Sequence, residues 1–145
     1  MENKKEKLED FKTAISSTVR SISNSEKIEV SFGNQTPKSE KNSIKLPELS
    51  QINNKLNFDQ IRAMADSKSL NFRFSDDKTF KEYEPVGNIS KRLYKISEKI
   101  RCEKIGTSYF KGVKNNIEKF YQERLSGLDL KSSEDKIIES FENYL

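Results

Sequence analysis

A helix-rich α+β domain is the fold this sequence predicts, and three observations predict it. Apolar residues recur every three or four positions over residues 5–23 and again through residues 88–124, the stepping that gathers them on one face of a helix. Two short runs, Ile28-Glu29-Val30-Ser31-Phe32 and Ile44-Lys45-Leu46, alternate apolar and polar residues instead, as half-buried strands do. The chain has 145 residues, of which 32% are hydrophobic and 34% charged. That suffices for one core beneath a heavily solvated surface.

Leu8, Phe11, Ile15, Val19 and Ile22 line the first helix, and Asn24 and Ser25 end it. The strand at residues 28–32 gives way at Gly33 to a loop reaching about Asn42, which has no apolar anchor and is expected to be mobile. Residues 44–46 form the second strand, stopped by Pro47, which has no N–H to give a ladder. Asn57 suits an N-cap for a helix from Phe58 to about Ser69, with Phe58, Ile61, Met64 and Ala65 on its inner face. Leu70, Phe72 and Phe74 then alternate with Asn71 and Arg73, predicting a third strand at 70–74. Ser75-Asp76-Asp77-Lys78 has turn chemistry, so residues 79–83 are expected to return as a fourth. The sheet of these four strands is expected to be short and antiparallel.

Pro85 and Gly87 precede a long amphipathic segment. Ile89, Leu93, Ile96 and Ile100 line its first half and Tyr109, Val113, Ile117 and Phe120 its second, with a break at Gly106, so helices are expected from Asn88 and from Thr107. A last helix is expected after Ser132 or Ser133, with Glu134 and Asp135 in its first turn and Ile137, Ile138, Phe141 and Leu145 on one face.

The formal net charge of +4 is unevenly spread. Residues 88–124 hold ten Lys or Arg against four Glu, so this stretch is strongly positive and the remainder slightly negative. Such a face attracts nucleic acid, an acidic partner or an anionic ligand, although lysine runs on helices are also ordinary solvated surface.

The chemistry-bearing residues are sparse. There is no His, which removes the commonest general base and zinc ligand. The single Cys102 supports neither a disulfide framework nor a cysteine-rich metal site. No GxxxxGK[ST] loop, GxGxxG turn or GxSxG elbow is present, so catalysis by this domain alone is not expected. No apolar run is long enough to span a membrane, and the first residues lack a signal-peptide core; the expected location is the cytoplasm.

Candidate sites come from charged clusters. Glu98 and Arg101 stand at the i,i+3 spacing that brings side chains together, with Glu103 beside them; a local ion pair competes with a partner-facing patch. Arg62 and Asp66 share the helix that begins near Phe58. Lys95, Lys99 and Lys111 represent the positive face. Asp76 and Asp77 are better explained as turn residues than as cation ligands. Cys102 is better explained as a small buried residue than as an activated thiol. Phe72, Phe74, Phe80 and Tyr83 are candidates for sheet core or for stacking platforms.

Several stretches, taken in order, resemble the N-terminal region of CobT, a subunit of the aerobic cobaltochelatase. Phe11-Lys12-Thr13-Ala14 with Val19-Arg20-Ser21-Ile22 is similar to the family's opening helix, and Ile28-Glu29-Val30-Ser31-Phe32-Gly33 to its first strand. Lys45-Leu46-Pro47-Glu48 resembles its Leu-Pro-Glu segment. Ile61-Arg62-Ala63-Met64-Ala65-Asp66-Ser67 followed by Leu70 resembles its Arg-Gly-x-Ala-Asp-Ser-x-Ala-Leu helix, with Ala63 in place of Gly. Ile100-Arg101-Cys102-Glu103-Lys104-Ile105-Gly106, then Gly112-Val113 and Asn116, is similar to its Ala-Arg-Val-Glu-Ala-Ile-Gly helix pair. Family members often place His near the positions of Ser75 and Phe80, and its lack here either argues against a required His ligand or marks this chain as divergent.

The resemblance implies a non-catalytic region of an ATP-dependent machine that inserts cobalt into the corrin ring of hydrogenobyrinic acid a,c-diamide during cobalamin biosynthesis. Its implied partners are the AAA+ ATPase subunit CobS and the large, corrin-holding subunit CobN. ATP, Mg and cobalt are used by the complex, and this domain is expected to bind none of them. Full-length family members continue through an acidic linker into a von Willebrand A domain. Residues 1–127 are therefore expected to form the CobT-like N-terminal domain and residues 128–145 a C-terminal helix beginning that linker. The expected function is protein interaction, with Arg62, Asp66, Lys95, Glu98, Lys99, Arg101, Glu103 and Lys111 as the candidate contact residues. A basic nucleic-acid-binding module is the alternative.

Overall fold

A computed structural model describes residues 2–48 and 58–126, together with residues 136, 137, 140 and 141. Its elements run α1 (Glu2–Ser23), β1 (Glu29–Phe32), β2 (Ser43–Leu46), α2 (Phe58–Phe74), α3 (Asp77–Glu82), α4 (Asn88–Tyr109) and α5 (Lys111–Ser126). The architecture is the helix-rich α+β one that the sequence predicts. Contacts divide the chain into two compact units, residues 1–73 and 74–145.

In the first unit the apolar stripe of α1 meets the strands. Ile15, Val19, Ile28, Phe32, Ile44, Leu46, Ile61 and Ala65 form one buried cluster, with Leu8, Phe11, Val30, Met64 and Phe72 packed around it. The hydrophobic stabilisation of this unit is concentrated there, at about 1.5–3 kcal/mol for each fully buried large aliphatic side chain.

The sheet is two-stranded and parallel, with Val30 opposite Ile44 and Phe32 opposite Leu46. This corrects the antiparallel expectation, and the loop explains why. Gly33 turns the chain at φ +62°, and Gln35 bonds both backbone groups of Phe32, its amide donating to the carbonyl and its side-chain oxygen accepting from the N–H. The Lys38 amide then donates to the Glu29 carboxylate at 2.8 Å, back at the start of β1. The chain has thus doubled back before it enters β2. The loop expected to be mobile for want of apolar anchors has polar ones.

The two further strands expected at 70–74 and 79–83 are both helical. α2 continues through Leu70, Phe72 and Phe74, and Arg73 donates to the Ile22 carbonyl at 3.1 Å. The supposed turn at 75–78 is an N-cap: Asp76 accepts from the Thr79 amide at 3.1 Å and from its hydroxyl, opening α3. These two bonds hold the exposed Asp76 carboxyl below its ordinary value.

Gly106 does not break the long helix. α4 runs through it to Tyr109, and the interruption falls at Phe110, whose extended backbone ends α4 as its N–H donates to the Gly106 carbonyl. α5 therefore begins at Lys111 rather than Thr107. Val113 and Ile117 are buried as expected, but Tyr109 belongs to the preceding helix, out of phase with them, and is 73% exposed.

The expected N-cap at Asn57, the boundary at 127/128 and the caps at Ser132 and Ser133 lie outside the described residues. So do Glu134, Asp135, Ile138 and Leu145 of the expected last helix. Lys136, Ile137, Ser140 and Phe141 are helical, and the Ser140 hydroxyl donates to the Lys136 carbonyl.

Candidate functional site

Two of the candidate residues stand on α2. Asp66 is only 1% exposed, and Arg62, one turn earlier, places Nε 3.8 Å from its Oδ1. Burying a carboxylate is costly unless it is paired, so the Arg62–Asp66 spacing serves the packing of its own unit. Ser69, also buried, returns its hydroxyl to the Ala65 carbonyl at 2.6 Å.

The other six stand on α4 and α5. Glu98 and Arg101 form the expected ion pair, and it is bidentate: Nε and Nη2 each lie 2.8 Å from a carboxylate oxygen. Hydrogen bonding from Arg101 holds the Glu98 carboxyl below its ordinary value, against an opposing effect of burial, with a smaller contribution from Ser75. The same bond raises Arg101 still further above neutrality. Glu103 is 5% exposed and accepts from the Tyr121 hydroxyl at 2.9 Å, which ties α4 to α5. Lys99 approaches Glu103 at 3.9 Å and lies over the Tyr121 ring, 5.2 Å from its centroid.

The candidate face therefore separates into two kinds of residue. Glu98, Lys99, Arg101 and Glu103 are engaged in contacts within the second unit. Lys95 and Lys111 are exposed and make no ion pair among the described residues. Three other cations of these helices are matched along the surface: Lys91 with Glu84, Lys114 with Glu118, Lys119 with Glu123.

The remaining candidates find plain roles. Cys102 is fully buried beside Glu98, and burial, reinforced by that carboxylate, pushes its thiol up to about 11, so it is not an activated nucleophile. Phe80 stacks on Tyr94 at 4.5 Å and Phe74 on Tyr109 at 6.3 Å. Of the four aromatics considered as platforms, only Tyr83 stands well out into solvent. Among the described residues, no cluster of three or more His, Cys, Asp or Glu side chains could hold a metal ion. No described helix is long and apolar enough to cross a membrane.

Lys104 and Gly112, both exposed where α4 ends and α5 begins, were not among the candidate contact residues. The absence of acidic residues from 104 to 117 was the available signal. A family model for cobalamin biosynthesis protein CobT matches residues 5–137. No solved structure matches the chain.

Proposed function

Because the chain belongs to the family of cobalamin biosynthesis protein CobT, we propose that it is a protein-interaction region of the ATP-dependent cobaltochelatase, docking onto the AAA+ subunit CobS or the large subunit CobN. The observation that carries this reading is the family match across residues 5–137. In this reading bond-making, ATP hydrolysis and the handling of Mg and cobalt belong to the rest of the complex, with cobalt as its substrate. Lys95 and Lys111 are the cations of the candidate set that remain available to an acidic partner, and such an attraction steers encounter and weakens with salt.

The experiment is co-purification of the full chain with CobS and with CobN, comparing the unaltered protein with Lys95→Glu/Lys111→Glu. The pair of reversals is expected to remove the complex and leave helicity unchanged, since neither lysine makes an ion pair among the described residues. A complex that survives both reversals would place the contact elsewhere. Nucleic acid as the partner has less behind it, because Phe74 and Phe80 are each covered by a tyrosine ring and offer no row of stacking surfaces.

A further inference from the structure

We propose that the corner where α4 passes into α5 is a docking surface for an acidic helical segment of another protein, laid across the bare backbone at Gly112. The inference rests on the reading of this chain as an interaction region and names the chemistry of what it receives.

Charge is the first ground. Residues 104–117 contain Lys104, Lys111 and Lys114 and no Asp or Glu. Lys114 is matched by Glu118 at 3.8 Å, whereas Lys104 and Lys111 are exposed and make no ion pair among the described residues. The first turn of α5 also lacks an acid, so the positive end of its dipole adds to the field of the lysines.

The second ground is Gly112. It is helical and exposed, and a Cβ built on it would meet nothing within 4 Å. Glycine weakens a helix relative to alanine, and here neither positive φ nor crowding inside the chain requires it. An open helical glycine lets a body arriving from outside approach the backbone closely.

Tyr109 supplies the third ground. Its ring is largely exposed yet held from behind by Phe74, nearly parallel at 17°. A supported, exposed tyrosine three residues before that glycine in sequence is the kind of anchor that protein contacts use. A partner helix with acids toward Lys104 and Lys111, and small residues toward Gly112, would meet all three features.

The test uses the full chain and two fluorescein-labelled probes of equal net charge. One is a Glu-rich amphipathic helical peptide with an Ala/Ser face, and the other a single-stranded oligonucleotide. Anisotropy is expected to show tighter binding of the peptide, weakening as salt rises. Gly112→Gln and Lys104→Glu/Lys111→Glu are each expected to weaken peptide binding by about tenfold or more, as removal of steric and electrostatic complementarity does. Gly112→Gln should melt no lower than the parent, since glutamine favours a helix, so its loss of binding cannot be unfolding. No peptide binding by the parent, unchanged affinity in both variants, or tighter binding of the oligonucleotide would each overturn the proposal. Peptide binding at this corner without co-purification of CobS or CobN would support the corner and count against the cobaltochelatase reading alone.

Discussion

The Arg101 guanidinium donates to the backbone carbonyl of Phe74 at 2.7 Å, closing the end of α2 from a position on α4. The last carbonyls of a helix have no partner within it, and a cation suits the negative end of the dipole. Arg101 meets that need while its fork grips both oxygens of Glu98. A residue that looked like a surface ion pair thus also satisfies a backbone carbonyl of its own unit. Arg101→Ala is expected to cost about 1–2 kcal/mol in urea denaturation. Lysine should restore only part of that, because it lacks the planar fork.

Acid should expose the same arrangement. Glu98 has its carboxyl lowered from 4.5 chiefly by Arg101. A lowered carboxyl adds stability that is present above its unfolded value and disappears as pH falls through the folded one. The stability difference between the parent and Glu98→Gln should therefore be constant above pH 4.5 and shrink below it. Denaturation midpoints measured across that range test the sign.

Cys102 should be inert in the native protein. With its thiol pushed up to about 11 from 9.0 and its side chain buried, almost no thiolate exists near neutrality. A chromogenic disulfide reagent at pH 8 should label it slowly in buffer and rapidly in denaturant. Because the folded pKa is the higher one, its contribution to stability is present below pH 9 and is lost as the pH rises through 11.

Gly33 should resist substitution for two separable reasons. Its φ of +62° disfavours any side chain, and an added Cβ would lie 2.5 Å from Glu48 Oε2 and 2.9 Å from its Cβ. Gly33→Ala is expected to destabilise by about 1–2 kcal/mol. Adding Glu48→Ala should relieve the crowding at the carboxylate and leave the backbone cost together with the contact to the Cβ of residue 48, so a double-mutant cycle should recover only part of the loss.

Tyr121→Phe should be more costly than its single oxygen implies. The hydroxyl is the donor to Glu103, a carboxylate only 5% exposed. Leaving a buried acceptor without that donor costs about 1–3 kcal/mol. Thermal melts of Tyr121→Phe beside Glu103→Gln would show it.

How far the sequence foretold these relationships depended on the range of the forces involved. The stripe of Ile15, Val19 and Ile22 and the alternation at Ile28, Val30 and Phe32 are local patterns, and the structure follows them. Leu70, Phe72 and Phe74 also alternate, but the decision there was tertiary. Arg73 reaches Ile22 and Arg101 reaches Phe74, across gaps of 51 and 27 residues, and together they favour extending the helix. Asp76 was legible as a residue that bonds nearby backbone, and Thr79 three positions later was the clue that it capped a helix. Glu98 and Arg101 were visible from spacing alone. That Glu103 faces Tyr121 was not, because it depends on how α4 and α5 cross.

The doubled-back loop has a further effect on the margins of the small sheet. In a parallel pair the backbone groups of Val30 and Phe32 point away from β2, and those of Ser43 and Lys45 away from β1. Gln35 occupies both groups of Phe32, Arg20 takes the carbonyl of Ile28, Lys68 takes that of Lys45 at 2.5 Å, and Pro47 has no amide to offer. A foreign strand seeking to zip onto either margin finds the groups of Phe32 and the carbonyls of Ile28 and Lys45 already taken. Strand addition at the Phe32 end of the sheet would have to displace these bonds first.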